Sequence, residues 1–466
     1  MTVISFLGFL FLFLLVGVAS FLRSRNAKED YYLASKDVSP MFVGLSAVAT
    51  NNSGYMFIGV IGYTYAVGLA SIWLMIGWIA GDFLASLYVH RQLRISTEKT
   101  GELTFSGVLS RWNGGNYKYV RLIAALITVV FLGAYAAAQL SAGGKALHAI
   151  FGWPEASGAV LAAVAVAIYC LAGGLRASIW TDVAQSFVML FAMGLLLVVA
   201  ILGLGGPARA VSMMGEVDGF LDLFPSDLVV PGLSGMALFV IGWMFAGLSV
   251  IGQPHIMVRF MTLDRPEHIS RARGWYYSFF LAFYLMATGV GMLSRIYLPE
   301  LSGLDPELAL PTMAQKLLPP VFVGLILAGI FAATMSTADS LILSCSSALT
   351  HDLLPKGLET TLQIKVATIL VAAFALAIAL SGNQSVFSLV ILAWSVLASA
   401  FAPLLIMYAI GKRVSEGQAI VMMLTGVSVA LLWRYLGWHN SIYEGMPGIL
   451  AGLLMFYLYR LLAARR

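Results

Sequence analysis

Thr334, Ser336, Thr337, Asp339 and Ser340 put hydroxyls and a carboxylate in the middle of an apolar run at 321–349, VFVGLILAGIFAATMSTADSLILSCSSAL. Ser336, Asp339 and Ser340 are spaced i, i+3 and i+4, so on a helix they share one face, with Thr337 beside them. Hydroxyls plus a carboxylate form an oxygen-only donor set, which suits a hard cation such as sodium and not a soft transition metal. The run is long enough to cross a bilayer, for which about 20 apolar residues suffice. A carboxylate at that depth costs roughly 2.5–3.5 kcal/mol on insertion scales and by default marks a functional position facing protein or water. The structural alternative is that small hydroxyl residues let helices pack closely, with Asp339 bonded to a neighbouring helix. The presence of Asp339 on the face of Ser336 and Ser340 favours the ion site.

The elements that position this cluster follow from composition. The 466 residues are 60% hydrophobic and only 11% charged, where a soluble domain has about 25% charged residues. The chain is therefore expected to be an all-α polytopic membrane protein. The net charge of +5 does not imply a nucleic-acid partner, because the basic residues are confined to short loops. Cys170 and Cys345 lie in apolar segments and imply neither a disulfide framework nor a metal site. No nucleotide-binding loop, kinase signature or catalytic constellation is present, so no enzyme chemistry is expected.

Apolar spans fall at about 2–22, 40–66, 70–89, 119–150, 155–173, 178–204, 233–254, 275–298, 320–349, 363–381, 385–411, 417–436 and 446–463, thirteen in all. The first has no basic residue before it and no small-residue cleavage site before Arg23, so it is read as a retained helix. Of the 27 basic residues, 22 fall in loops on one side, among them Arg23, Arg25, Arg94, Arg111, Arg121, Arg259, Lys356, Arg465 and Arg466. The other side has five: Lys145, Arg209, Arg295, Lys316 and Arg434. By the positive-inside rule the N-terminus is outside and the C-terminus cytoplasmic, in a cell (inner) membrane. The long outer loop at 205–232 is expected to cap the outer mouth.

Two spans are broken by their own residues. In 44–59, GLSAVATNNSGYMFIG, the run Asn51, Asn52, Ser53, Gly54 is a poor helix former. In 242–254, GWMFAGLSVIGQP, glycines lead to Gln253-Pro254, and Pro254 removes a backbone donor and clashes with the preceding turn. Unwound backbone at membrane depth survives only where it is buried in protein or lines a cavity. The breaks fall in the second and seventh spans, five apart. Spans 2–6 and 7–11 then form two groups of five, and an odd repeat unit inverts its second copy in the membrane.

The runs GQPHIMVRFM (252–261), AATMSTADS (332–340), SCSSALTHDL (344–353) and WTDVAQ (180–185) resemble the sodium/solute symporter family, most closely its bacterial sodium/proline symporters. The resemblance covers essentially the whole chain. It implies thirteen transmembrane helices with inverted five-helix repeats (the leucine-transporter fold), of which the symporter folds are standard examples. The extra N-terminal helix is then 1–22, the first repeat 38–204, the second 233–411, and two C-terminal helices occupy 412–466.

The function this implies is sodium-coupled import of a small organic solute, most of all proline or another amino acid, by alternating access. Another small solute such as a carboxylate, or a solute sensor without flux, is the alternative. Sodium is the only cofactor implied, and the partners are the solute and the bilayer, with the protein working as a monomer. Carried over by position, the main sodium site comprises the carbonyls of Ala49, Asn52 and Ala333 and the hydroxyls of Ser336 and Thr337. Asp182, Asp339 and Ser340 match a second sodium site, with Asp339 where relatives carry a hydroxyl. For the solute, Ser53 and Gly54 match the first break, Tyr135 an aromatic of the fourth span, and Gln253 and Pro254 the end of the second break. Ala246 and Val250 stand where proline symporters have Trp and Tyr, and Trp243, one turn earlier, is a substitute aromatic. Two positions depart from the resemblance: Asn51, where proline symporters have Asp, and Asp82, which has no counterpart.

Overall fold

The computed structural model describes residues 1–21, 28–300, 305–354, 361–382 and 385–463. Arg23, Arg25, Lys356, Arg465 and Arg466, used in the orientation argument, lie outside the described residues. The helices are α1 (Thr2–Phe21), α2 (Lys28–Leu33), α3 (Pro40–Asn51), α4 (Val60–Val67), α5 (Ile72–Thr100), α6 (Phe105–Arg111), α7 (Lys118–Phe151), α8 (Glu155–Gly203) and α9 (Pro207–Met214). The second half continues with α10 (Gly232–Leu248), α11 (Pro254–Met261), α12 (Ile269–Tyr297), α13 (Ala309–Leu317), α14 (Pro320–Ser347), α15 (Thr361–Leu380), α16 (Val386–Ala409), α17 (Glu416–Tyr435) and α18 (Gly445–Ala463). Among the described residues the only extended pairing is a single parallel bridge, Val38 to Leu263. A bilayer enforces this outcome, because each backbone polar group must be satisfied within its own segment.

Nine of the described helical segments are long and apolar enough to cross a membrane, and apolar helices at Thr2–Gly17, Glu155–Ile168 and Gly445–Leu461 are shorter. The α14 segment is the most enclosed: 89% of its apolar window is buried, against 28% for Leu362–Leu380. It packs against α1, α3, α7 and α8, so the hydroxyl cluster sits at the centre of the bundle. A polar face at that depth is tolerable only because protein, not lipid, surrounds it.

Both expected breaks are present. α3 ends at Asn51; Asn52 leaves the helix at φ −80°, ψ 56°, and the chain resumes through a wide turn at Tyr55–Gly59 into α4. α10 ends at Leu248, tightens through Ser249–Gly252, extends at Gln253 (φ −101°, ψ 99°), and restarts at Pro254, where the missing N–H is not needed. The fifth and sixth apolar spans form one element, α8, folded at Gly174, whose φ of 59° and ψ of −151° a side chain would oppose. α5 and α10 cross in near contact: a Cβ at Gly247 would lie 2.0 Å from the Trp78 carbonyl oxygen, so only glycine fits there.

The loop at 205–232 packs down on the bundle. Leu69 N–H donates to the Phe220 carbonyl at 2.9 Å, and Trp73 Nε1 to the Leu223 carbonyl at 2.9 Å. The connection before α14 holds structure that the hydropathy pattern does not reveal. Glu307 accepts from Lys145 Nζ (2.6 Å), Ser385 Oγ (2.8 Å) and the backbone N–H groups of Val386 (3.0 Å) and Phe387 (2.9 Å). A carboxylate at the start of α16 satisfies orphan donors and meets the positive end of the helix dipole.

Candidate functional site

The first break frees carbonyl groups from helical bonding, and α14 meets them with hydroxyls. Ser336 Oγ lies 3.2 Å from the Ala49 carbonyl oxygen and 3.3 Å from that of Ala333. Thr337 Oγ1 donates to the Thr50 carbonyl at 2.9 Å, one residue from the expected Ala49. Ala49, Ala333, Ser336 and Thr337 are therefore gathered at one junction of α3 and α14, all buried. Asn52 is fully buried beside them; its N–H bonds to the Val48 carbonyl at 2.7 Å, while its side-chain amide has no hydrogen-bond partner at either atom. Thr50, which sequence reasoning did not single out, belongs to the same group. Three carbonyls and two hydroxyls are the hard-oxygen chemistry of a sodium site.

A second group lies deeper along α14. Asp339 Oδ1 accepts from Ser178 Oγ (3.1 Å) and Ser340 Oγ (2.9 Å), and Asp182 Oδ2 accepts from Ser46 Oγ at 2.6 Å. The two carboxylates meet in one network through Ser178 and Arg259, a juxtaposition that only the resemblance implied. At its centre stands Arg259 of α11, fully buried. Arg259 reaches Asp182 Oδ2 at 3.3 Å, Ser178 Oγ at 2.9 Å, Ser46 Oγ at 3.2 Å and the His255 carbonyl at 2.6 Å, and it also bonds Ser340 Oγ. Sequence reasoning placed Arg259 in a cytoplasmic loop and missed this role. The signal was present, since the GQPH run continues into a short helix, and Arg259 falls five residues past Pro254 and points back into the bundle. Two carboxyl groups stand against one guanidinium, and Asp182 Oδ1 has no hydrogen-bond partner.

Between the two breaks lies a group of polar and aromatic side chains suited to a small solute. Ser53 Oγ is 3.1 Å from the Tyr135 hydroxyl, and Gly54 N–H donates to Gln139 Oε1 at 2.8 Å. The Tyr135 ring meets the His255 ring edge-on at 5.4 Å, and His255 meets Trp394 at 6.4 Å. Gln253 Nε2 donates to the Trp394 carbonyl at 2.9 Å. Buried polar atoms are normally paired. Here the Gln139 amide nitrogen, the Gln253 amide oxygen, both His255 ring nitrogens and the Tyr55 hydroxyl have no partner. Ser53, Gly54, Tyr135 and Gln253 are thus linked through Gln139, His255 and Trp394, whereas Pro254 lines a separate cavity with Thr104, Phe105, Thr128, Leu343 and Ser347.

Ala246 and Val250 line the second break through their backbones: Ala246 carbonyl accepts from Trp394 Nε1 at 2.8 Å, and Val250 carbonyl from Gln253 N–H at 3.0 Å. The structure does not bring Trp243 to this group. Trp243 instead lines a separate cavity of about 250 Å³ with Tyr63, Phe239, Phe387 and Tyr443. The reason is helix length: Trp243 lies ten residues before Gln253, too far up α10 to face the break. The aromatic ring next to His255 comes from α16, as Trp394, a residue the sequence analysis did not single out. Phe387 stacks between Tyr63 (4.9 Å) and Tyr55 (5.3 Å) and lines the Trp243 cavity beside the first break.

Charges tie the bundle together at the C-terminal end of α14. Glu102, in the loop before α6, pairs with Arg121 at 2.5 Å, Arg111 at 2.8 Å and His351 at 3.4 Å. Burial raises the Glu102 pKa, but hydrogen bonds from His351 and Arg121 and the charges of Arg121 and Arg111 outweigh it and hold the carboxyl down at about 2. This latch ties the α5–α6 connection and α7 to the C-terminal end of α14.

The family model for the sodium:solute symporter family matches residues 31–426. The chain belongs to that family. It is 30% identical over 461 residues to the high-affinity proline transporter PutP of Bacillus subtilis, covering 96% of this chain and 95% of the relative. It is 28% identical over 474 residues to the sodium/proline symporter of Escherichia coli, covering 98% and 92%. Among solved structures, a Na+-coupled sialic acid symporter in a substrate-bound outward-open state aligns over 98% of both chains with a TM-score of 0.81 at 20% identity. A closed, ligand-bound nucleobase-cation-symport transporter aligns with a TM-score of 0.55. The fold is thus that of the leucine-transporter class. This symporter is a membrane protein that couples a small-molecule substrate to sodium, and it is a transporter and not an enzyme.

Proposed function

We propose that this symporter imports proline, or a closely similar small amino acid, with sodium bound where the first break meets α14. The observation that carries the reading is the junction of the carbonyls of Ala49 and Thr50 at the end of α3 with the hydroxyls of Ser336 and Thr337 and the Ala333 carbonyl of α14. Asn52 completes this site. The solute lies beside it, on Ser53, Gly54, Tyr135 and Gln253, with the backbones at Ala246 and Val250 below and Trp394 as the added aromatic ring. A free amino acid offers a carboxylate to N–H groups at the helix ends and an ammonium to side-chain oxygens. Near-full-length relatives named as proline transporters support proline. The unpartnered atoms of Asn52, Gln139, Gln253 and His255 support a polar ligand of this size.

The same reading places a second sodium at Asp182, Asp339 and Ser340, where two carboxylates face one guanidinium. Thirteen helices cross the membrane: 1–22, the inverted repeats 38–204 and 233–411, and two in 412–466. The N-terminus is outside, the C-terminus is cytoplasmic, and one chain suffices for transport. Sodium at the junction of the first break and α14 stabilises an outward-facing bundle, solute completes the site, and the repeats rock. Lys145–Glu307 is the outer latch and Glu102 with its three partners the inner one. One charge crossing 100 mV is worth about 2.3 kcal/mol, which supports roughly 50-fold accumulation per sodium from voltage alone. The test is a thermal-shift panel of proline, other amino acids and small carboxylates, with and without sodium. Stabilisation by proline only in the presence of sodium is the expected outcome; stabilisation by a carboxylate and not by proline would move the substrate to that class.

A further inference from the structure

Asp82 lies in the middle of α5, fully buried, and sodium-coupled import as outlined gives it no part. Its carboxylate accepts from the hydroxyls of Tyr276 and Tyr277, each at 2.7 Å, and from the Asn51 amide at 3.5 Å. Asn51 also donates to the Tyr276 oxygen at 2.5 Å. All of these donors are neutral. The charged and titratable groups on the elements packed around Asp82 form no ion pair or hydrogen bond with it beyond those of Tyr276 and Tyr277. On α12, Arg273 donates to the Ser86 carbonyl at 3.4 Å. On α5 itself, His90 stacks on Phe260 at 3.8 Å. On α11, Arg259 is held by Asp182, and the His255 ring stands between Tyr135 and Trp394. α10 carries no ionisable side chain, α3 contributes only Asn51, and on α16 the Tyr408 hydroxyl bonds the Leu109 carbonyl. Among the described residues no cation lies within ion-pair distance of Asp82. Ion pairing, the usual means of keeping a charged carboxylate at membrane depth, is missing here.

We propose that Asp82 is a proton-binding site linked to the sodium site through Tyr276 and Asn51. Asn51 is the last residue of α3, and the two carbonyls before it, of Ala49 and Thr50, are those that meet Ser336 and Thr337. Ionised, Asp82 receives the hydrogen bonds of Tyr276, Tyr277 and Asn51, and its charge favours a cation at the end of α3. Protonated, Asp82 has a hydrogen to give. The Tyr276 oxygen accepts it, the Tyr276 hydroxyl turns toward Asn51 Oδ1, and the amide turns over. The proton is exchanged with water and no other covalent bond changes. Proton and sodium then oppose one another, by the same factor in each direction.

The proposal rests on sodium binding at the first break, and the experiment separates the two. Sodium chloride is added to the full-length protein in weakly buffered detergent without solute. Released protons are read with an indicator dye and sodium binding is read by calorimetry, between about pH 6 and about pH 8. The wild type should release a fraction of one proton per chain and bind sodium about three- to tenfold more tightly at the higher pH. Asp82→Asn should bind sodium with no such pH dependence and release none. Tyr277→Phe keeps the carboxylate and removes one donor. It should still release protons and should need a higher pH to match the wild-type affinity, which keeps the test open if Asp82→Asn does not fold. Sodium binding without proton release in the wild type, or unchanged release in Asp82→Asn, overturns the proposal. A wild type that shows no sodium binding overturns the sodium assignment along with it.

Discussion

Ser336→Ala perturbs the junction of the first break with α14 at a single atom. Ser336 is 1% exposed, and its Oγ stands 3.2 Å from the Ala49 carbonyl and 3.3 Å from that of Ala333. Without an ion these are long hydrogen bonds, so the fold loses about 1 kcal/mol or less, partly offset by the better helix propensity of alanine. With sodium bound, the hydroxyl turns a lone pair to a charged partner, an interaction worth about 1.5–3 kcal/mol. At about 1.4 kcal/mol per tenfold, half-saturating sodium should rise roughly 10- to 100-fold. The assay is the sodium-dependent rise in melting temperature of the purified variant, which follows the ratio of sodium to its dissociation constant. The sodium-free melting temperature serves as the folding control. A half-saturating concentration within about twofold of wild type, in a well-folded variant, would remove Ser336 from the ion's ligands.

Tyr135→Ala should weaken solute binding by about tenfold or more, for the loss of a buried ring, and leave sodium binding without solute intact; equal loss of both ligands would point to misfolding. Asp182→Asn should lower the charge moved per solute, read as a shift in reversal potential, if a second sodium sits with Asp339 and Ser340. An unchanged ratio in a well-folded variant removes that ion. Arg259→Met, which breaks the buried pair from the other side, should cost about 3–5 kcal/mol, and adding Asp182→Asn to it should recover part of the loss in melting temperature; no recovery would mean that Asp182 is not the partner that matters. Glu102 has a depressed pKa, so its latch contributes fully above the unfolded value and is lost only as pH falls through about 2. The inner closure should therefore hold across about pH 5–9, and Glu102→Gln should raise labelling of a cysteine placed at the inner crevice at any pH in that range; labelling of the wild type that climbs between pH 7 and pH 5 would contradict it.

The architecture was legible because a bilayer leaves few choices. Apolar runs of sufficient length must be helices, and a run such as Asn51–Gly54 or Gln253-Pro254 inside one must interrupt it. The hydroxyl–carboxylate face of α14 was legible for the same reason, since its i, i+3, i+4 spacing is a property of the helix alone. What the sequence concealed depends on contacts between segments far apart in the chain. Arg259 read as a loop cation by charge counting, yet α11 turns it into the bundle toward Asp182. Trp394 carried no signal in the sequence, yet α16 brings it against Ala246 and Gln253 at the second break. Trp243 had the right side chain at the wrong height on α10. Glu307 lies in a connection without a hydrophobic pattern, and its role emerges only when α7 and α16 are brought together around it.

The most direct test of sodium-coupled proline import is flux through the reconstituted protein. Proteoliposomes carrying an inward sodium gradient and a negative interior should accumulate labelled proline above the outside concentration. The accumulation should collapse when sodium is replaced by potassium, and sodium and proline should enter in a fixed ratio. Proline that only equilibrates, or that accumulates equally without sodium, would contradict it.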